Sequence, residues 1–243
     1  MSTAWRDLLY RELKHILDEK GATEFFRYSK SLLNVSAGSQ SEAKSKGLLV
    51  GELAECVLSI MVADYIRSTG WKATGYHSLV LKDLGNLKSD FRTELDYTIV
   101  SPELMLTIEC KSYKGAVQVT DKCTFTHGGK SSDLYKQSAL HHRHLVKYAE
   151  QLALPNAGLV RPPVFACAFL FSDSTLEDKR TKADRSALTV LTAGTLHRYL
   201  DAVRAKFAKP VFDYQRACKI FGTVEQSEQL HKQHASFVGY KRR

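Results

Sequence analysis

Between residues 4 and 34 apolar side chains recur at helical intervals, first Trp5, Leu8, Leu9, Leu13, Ile16 and Leu17, then Phe25, Phe26, Leu32 and Leu33. Residues three and four apart share one helix face, so this pattern predicts a pair of amphipathic helices, with Gly21 stopping the first. The following stretch SAGSQSEAKSK has no apolar face and reads as a linker or mobile loop over 36–46. From Gly47 to about Arg67 apolar residues nearly encircle the predicted helix, as in one packed broadly against a sheet. Its polar stripe is Glu52, Glu55 and Ser59, at i, i+3 and i+7.

The period then shortens. WKATGYHSLVL alternates loosely and reads as a strand, and DLGNLKSD as a loop. ELDYTIV (94–100) and LMLTIECK (104–111) predict two more strands, joined by a turn at Ser101 and Pro102. AVQVTDKCTFTHGG has the alternation and turn chemistry of a further hairpin, and Ser132 or Asp133 can cap a helix reaching about Leu152. The unbroken apolar run VFACAFLF (164–171) predicts a strand covered on both faces, ALTVLT (187–192) a short strand, and TLHRYLDAVRAKF a helix. Helix, three strands, helix, two strands and helix amount to an α/β fold with a mixed sheet.

Composition narrows the class. A chain of 243 residues, 44% hydrophobic and 25% charged, suits one globular domain with appendages. The longest apolar segment carries Glu52, Glu55 and Asp64, too much charge for a membrane span, and the charged opening MSTAWRDLLYREL is unlike a signal peptide. The expectation is a cytoplasmic protein with no membrane partner. Five scattered cysteines without a Cys-x-x-Cys spacing read as reduced thiols. The net charge of +9 points to a polyanion, and residues 204–243 hold nine Lys/Arg against three acids. A solvated basic tail accounts for that stretch as well as a nucleic-acid contact does.

One charged pair stands out against this background. In an extended strand Glu109 and Lys111 project from one face of IECKSYKG, while Ile108 and Cys110 project from the other, where Cys110 fills the core. If the preceding strand pairs through the turn at Pro102, Asp96 comes to lie beside Glu109. Two carboxylates then form a hard oxygen pocket suited to Mg²⁺ or Mn²⁺. Lys111 could orient or deprotonate an attacking water, or neutralise phosphate charge. An ordinary solvent-facing Glu and Lys pair has the same spacing.

ELDYTIV followed by IECKSYKG resembles the Asp…Glu-x-Lys core of the PD-(D/E)XK nucleases, and specifically the nuclease-related domain (NERD) family. Gly51-Glu52 is similar to the early Gly-Glu motif of that family, and YKQSALHH, with Gln137 and His141 at i and i+4, to its Gln-containing helix. Leu95 stands where the superfamily has its proline. The resemblance implies a restriction-endonuclease-like core over 47–205, a mixed four- to five-stranded sheet flanked by helices, with the helical pair 1–35 before it and a basic extension 206–243 after it. It implies Mg²⁺ (or Mn²⁺) at Asp96 and Glu109 with the Cys110 carbonyl as a further ligand, and Lys111 activating water. Glu52, or its rival Glu55, would reach the metal from the helix, and Gln137 would hold Lys111 or a phosphate.

The expected activity is metal-dependent phosphodiester hydrolysis, with DNA ahead of RNA as substrate and a homodimer as the default assembly. The alternatives are a non-catalytic nucleic-acid-binding or signalling module that keeps the fold, and a helical interaction scaffold built on residues 1–35. His141, His142 and His144 read as a solvated face rather than a zinc site, with His141 a candidate phosphate contact. TDKCTFTHGGKSSD and the terminal GYKRR are candidate nucleic-acid contacts.

Overall fold

The computed structural model describes residues 3–34, 40–82, 84, 92–120, 124–127, 130–155, 157, 158 and 161–225. Residues 83 and 85–90 of the expected loop, 36–39 of the polar stretch, 121–123 and 128–129 of the hairpin segment, and GYKRR lie outside them. The chain divides into two compact units: residues 1–68, 110–135 and 168–196 form the first, and residues 69–109, 136–167 and 197–243 the second. Its main sheet is mixed and flanked by helices, as the sequence pattern predicts, with the strand order β1 (Thr74–Lys82), β2 (Arg92–Val100), β3 (Met105–Tyr113), β7 (Val164–Ser172) and β9 (Thr189–Leu191).

In the first unit, α1 (Thr3–Leu32) is broken at Gly21, whose φ of 78° no other residue type adopts cheaply. The stop predicted at Gly21 is thus a kink within one helical run. Leu9, Leu13, Phe25 and Leu33 form its buried stripe. Helix α2 (Gln40–Thr69) begins inside the polar stretch read as a loop, and buries Leu53 through Val62 on almost every side except Glu55. A second sheet has the order β6-β5-β4-β8, built from β4 (Val117–Val119), β5 (Thr124–His127), β6 (Lys130–Asp133) and β8 (Leu176–Asp178). β4 pairs antiparallel with β5 and parallel with β8. Val117, Val119, Leu134, Ala168, Leu170 and Leu188 make its core. Asp173 locks the turns of this unit, accepting from the Gly115 amide at 2.6 Å and from Asn34 Nδ2 at 2.8 Å. The buried Arg180 donates to Asp178 and, at 2.7 Å, to the Leu188 carbonyl, next to the short helix α4 (Lys182–Ala187) and strand β9 (Thr189–Leu191).

In the second unit, β1 (Thr74–Lys82) and β2 (Arg92–Val100) pair antiparallel from Thr74↔Val100 to Lys82↔Arg92. β2 turns through Ser101 and Pro102 into β3 (Met105–Tyr113), whose first part belongs here. The Ser101 hydroxyl binds the Leu104 backbone, and the Pro102 carbonyl accepts from the Val211 and Phe212 amides, so the turn is fixed from two sides. Helix α3 (Leu134–Leu152) lays Leu145, Ala149 and Leu152 into a core with Leu79, Leu81, Leu95, Val100 and Met105. β7 (Val164–Ser172) starts in this unit and is largely buried, as its apolar run predicts. Helices α5 (Leu196–Lys206) and α6 (Tyr214–Glu225) follow; α6 packs Ala217 and Phe221 into the same core as Tyr76.

Candidate functional site

β2 and β3 pair antiparallel with the register Tyr97↔Ile108, Thr98↔Thr107, Ile99↔Leu106 and Val100↔Met105. The ladder ends at Tyr97↔Ile108, one residue short of Asp96 on β2 and of Glu109 on β3. The register holds because the Pro102 turn leaves only four residues, 101–104, between the strands. On the other edge of β2, β1 pairs His77 with Tyr97 and Leu79 with Leu95. Ser78 is buried with a φ of 46°, a left-handed conformation that costs a non-glycine residue on the order of 1 kcal/mol.

Glu109 lies at the end of a strand stretch that is buried from Met105 through Cys110. Its carboxylate has 0% exposure, and Oε2 lies 3.2 Å from Nδ1 of His141, itself 4% exposed. The inward stripe of α3 explains this meeting. Leu134, Ser138, His141, Leu145, Ala149 and Leu152 recur at three and four residues, so all six point into the protein. The stripe is apolar at Leu145, Ala149 and Leu152, beside Val100 and Met105, and polar at Ser138 and His141, where Glu109 is reached. Thr98, Thr107 and Ser138 are buried nearby in sequence register, and their hydroxyls have no hydrogen-bond partner among the described residues.

The histidines correct the expectation of a solvated face. His141 and His144 are buried, and His142 places Nε2 3.0 Å from the Val164 carbonyl. His141 faces a carboxylate, so it is not a surface contact for phosphate. Gln137 is half-buried, one turn ahead of His141 on α3. A helix that packs its polar stripe against a polar spot in a sheet has the same sequence period as one facing water, which is why the spacing alone misled.

The remaining candidates lie in the first unit. Cys110 is a buried free thiol, matching the core role expected of its side chain, and Lys111 is half-buried further along β3. The Ser112 hydroxyl accepts from the Ala54 amide at 2.9 Å and so ties this strand end to α2. Glu52 and Glu55 share a cation that sequence reasoning missed: Arg6 of α1 donates to Glu52 and places Nη2 3.3 Å from Glu55. Burial acts to lower the Arg6 pKa, and the charges of Glu55 and Glu52 outweigh it and raise it above the usual guanidinium value. Burial also pushes the neighbouring Cys56 thiol up to about 12, against the pull of Arg6, so Cys56 stays protonated and inert.

Asp96 and Glu109 offer oxygens from adjacent strands, and among the described residues no group of three or more His, Cys, Asp and Glu is arranged to hold a metal. Mg²⁺ is commonly held by one or two carboxylates with water completing its octahedron, whereas structural zinc takes four protein ligands.

Residues 51–170 match the nuclease-related domain family. The chain carries a nuclease-related domain. Glu52, Asp96, Glu109, Lys111, Gln137 and His141 all fall within the matched residues. Among solved structures, protein VC1899 from Vibrio cholerae is similar at 18% identity over 70% of this chain, with a TM-score of 0.39. The nuclease-related domain chain spans 37% of the length of that protein. No curated protein matches it. Among the described residues, no helix is long and apolar enough to cross a membrane.

Proposed function

We propose that this nuclease-related domain is a metal-dependent nuclease that hydrolyses phosphodiester bonds, with DNA as its preferred substrate. The observation that supports the reading is the match to the nuclease-related domain family over residues that include Asp96 and the buried Glu109, carried on the neighbouring strands β2 and β3. Asp96, Glu109 and the Cys110 carbonyl would hold Mg²⁺ or Mn²⁺. When bound, the ion supplies charge stabilisation at the phosphate and acidifies water. Lys111 orients or deprotonates the attacking water, and Gln137 holds the phosphate or Lys111. The net charge of +9 favours a polyanionic substrate. Glu52 has a role here only if it leaves Arg6, because the guanidinium occupies the carboxylate that the family resemblance sends to the metal.

The test is an incubation of labelled single- and double-stranded DNA and RNA with Mg²⁺, Mn²⁺ or EDTA, beside Glu109→Gln and Lys111→Ala. Cleavage that needs the ion and falls at least about a hundredfold in both variants supports the reading, equivalent to roughly 3 kcal/mol of barrier. Cleavage unchanged in Glu109→Gln overturns it. A second reading, a binding module without turnover, draws on the complete burial of the Glu109 carboxylate. It predicts salt-dependent retention of nucleic acid with no product in either metal.

A further inference from the structure

We propose that the α5–α6 surface of the second unit is a docking face for the phosphate backbone of nucleic acid, set by Lys72, Arg204 and Lys206 and extended by Lys209, Arg216 and Lys219. This inference deepens the reading above and rests on its substrate class, not on its metal. Three of the cations lie on aromatic rings. Arg204 Cζ is 5.3 Å from the centroid of Trp71, Lys72 Nζ 5.5 Å from that of Tyr214, and Lys206 Nζ 5.3 Å from that of Phe207. The rings are themselves held: Trp71 Nε1 lies 3.4 Å from Glu103, the Tyr214 hydroxyl 2.7 Å from that of Thr74, and the Phe207 ring 5.1 Å from the Phe165 ring. A cation seated on a ring has given up part of its hydration and rotamer freedom before a partner arrives, so a phosphate contact costs less to form.

Charge and burial choose the partner. Between residues 197 and 222 the acids are Asp201 and Asp213, against six Lys/Arg. Asp213 is engaged at the start of α6, where its carboxylate accepts from the Arg216 amide at 3.0 Å. Lys72, Lys206, Lys209, Arg216 and Lys219 are exposed, whereas Trp71 is only 7% exposed beside Arg204. The face therefore offers lipid no indole wedge and bases no open indole to stack on. It offers cations, which engage phosphates and carry no sequence information.

Fluorescence anisotropy of a labelled DNA duplex, titrated with the full chain in EDTA over a series of KCl concentrations, tests the face. In Lys72→Gln/Arg204→Gln/Lys206→Gln the slope of log K against log salt should become shallower by about 2–3, with affinity at least about tenfold lower at the lowest salt. Lys20→Gln/Lys30→Gln/Lys182→Gln removes the same charge from exposed positions of the first unit and should lose less than about threefold. Circular dichroism establishes that each variant is folded, and Lys72→Gln/Lys206→Gln, with a slope change of about 2, carries the comparison should the loss of Arg204 from Trp71 unfold the triple variant. Wild-type slope and affinity in the folded surface variant overturn the proposal, and so does an equal loss in the first-unit variant, which would leave net charge as the whole cause. Wild type that binds phosphatidylserine vesicles and no duplex assigns the face to a membrane and overturns it as well. Duplex binding through this face with no cleavage in Mg²⁺ or Mn²⁺ ends the nuclease reading and leaves the face standing; cleavage by wild type with full binding by the surface variant ends the face alone.

Discussion

Replacing Arg6 by methionine removes the guanidinium while keeping an unbranched stem, and should destabilise the protein far more than an ordinary surface substitution does. Arg6, Glu52 and Glu55 have side-chain exposures of 28%, 19% and 13%. Fully exposed pairs contribute about 0.2–1 kcal/mol, and removing one partner of a fully buried pair costs about 3–5 kcal/mol. The intermediate burial, and the two carboxylates left facing each other on one stripe of α2, place the loss near 2 kcal/mol. For a chain of this size that is about 4–8 °C in melting temperature. The natural control is Arg67, which pairs with Asp64 on the same helix at exposures of 61% and 40%. Arg67→Met should cost far less, and 1 M salt should erase that cost while leaving most of the Arg6 effect. Urea unfolding followed by circular dichroism reads both. Adding Glu52→Gln and Glu55→Gln to Arg6→Met should restore part of the loss, because neutral amides do not need a cation. If Arg6→Met melts within 1 °C of the parent, or no lower than Arg67→Met, the guanidinium does not anchor α1 to α2 and the burial argument is wrong.

The buried Thr107 hydroxyl has no hydrogen-bond partner among the described residues, so Thr107→Val should be neutral or stabilise by up to about 1 kcal/mol in urea unfolding. A loss above about 1 kcal/mol would show that a bound water or ligand group satisfies that hydroxyl. Asp178 offers a pH test: burial acts to raise its pKa, and hydrogen bonds from Arg180 outweigh this and hold it below the usual aspartate value. A depressed carboxyl contributes stability above its unfolded value of about 3.9 and loses it as pH falls through the folded value. The destabilisation by Asp178→Asn, measured as a urea midpoint against the parent, should therefore be largest near neutrality and shrink below pH 4. A pH-independent difference would assign the effect to packing instead.

The strand pairing at the candidate site was legible because it is local. Two short alternating runs joined by a turn at Pro102 leave one register that buries Tyr97, Ile99, Leu106 and Ile108 together. The contact of Arg6 with Glu52 was hidden because it joins positions 46 residues apart, and charge spacing along a chain holds no record of such pairs. β8 and α4, at three and six residues, are too short to show a period. α6 carries one, with Tyr214, Ala217, Ile220 and Phe221 on one side, inside the stretch 206–243 that its charge marks as a basic extension.

His141 shows where a sequence pattern is ambiguous in principle. The inward stripe of α3 passes from Leu152, Ala149 and Leu145 to His141 and Ser138, and the strand it covers passes from Met105 to Thr107 and Glu109 in step. Each change of polarity alone looks like a surface; together they make a buried polar core. Stability does not account for such a pairing, since well-packed apolar residues in place of a buried ion pair are often neutral or stabilising by about 1–4 kcal/mol. A carboxylate and an imidazole retained under α3 at that cost are better explained by what Glu109 does than by what it holds together.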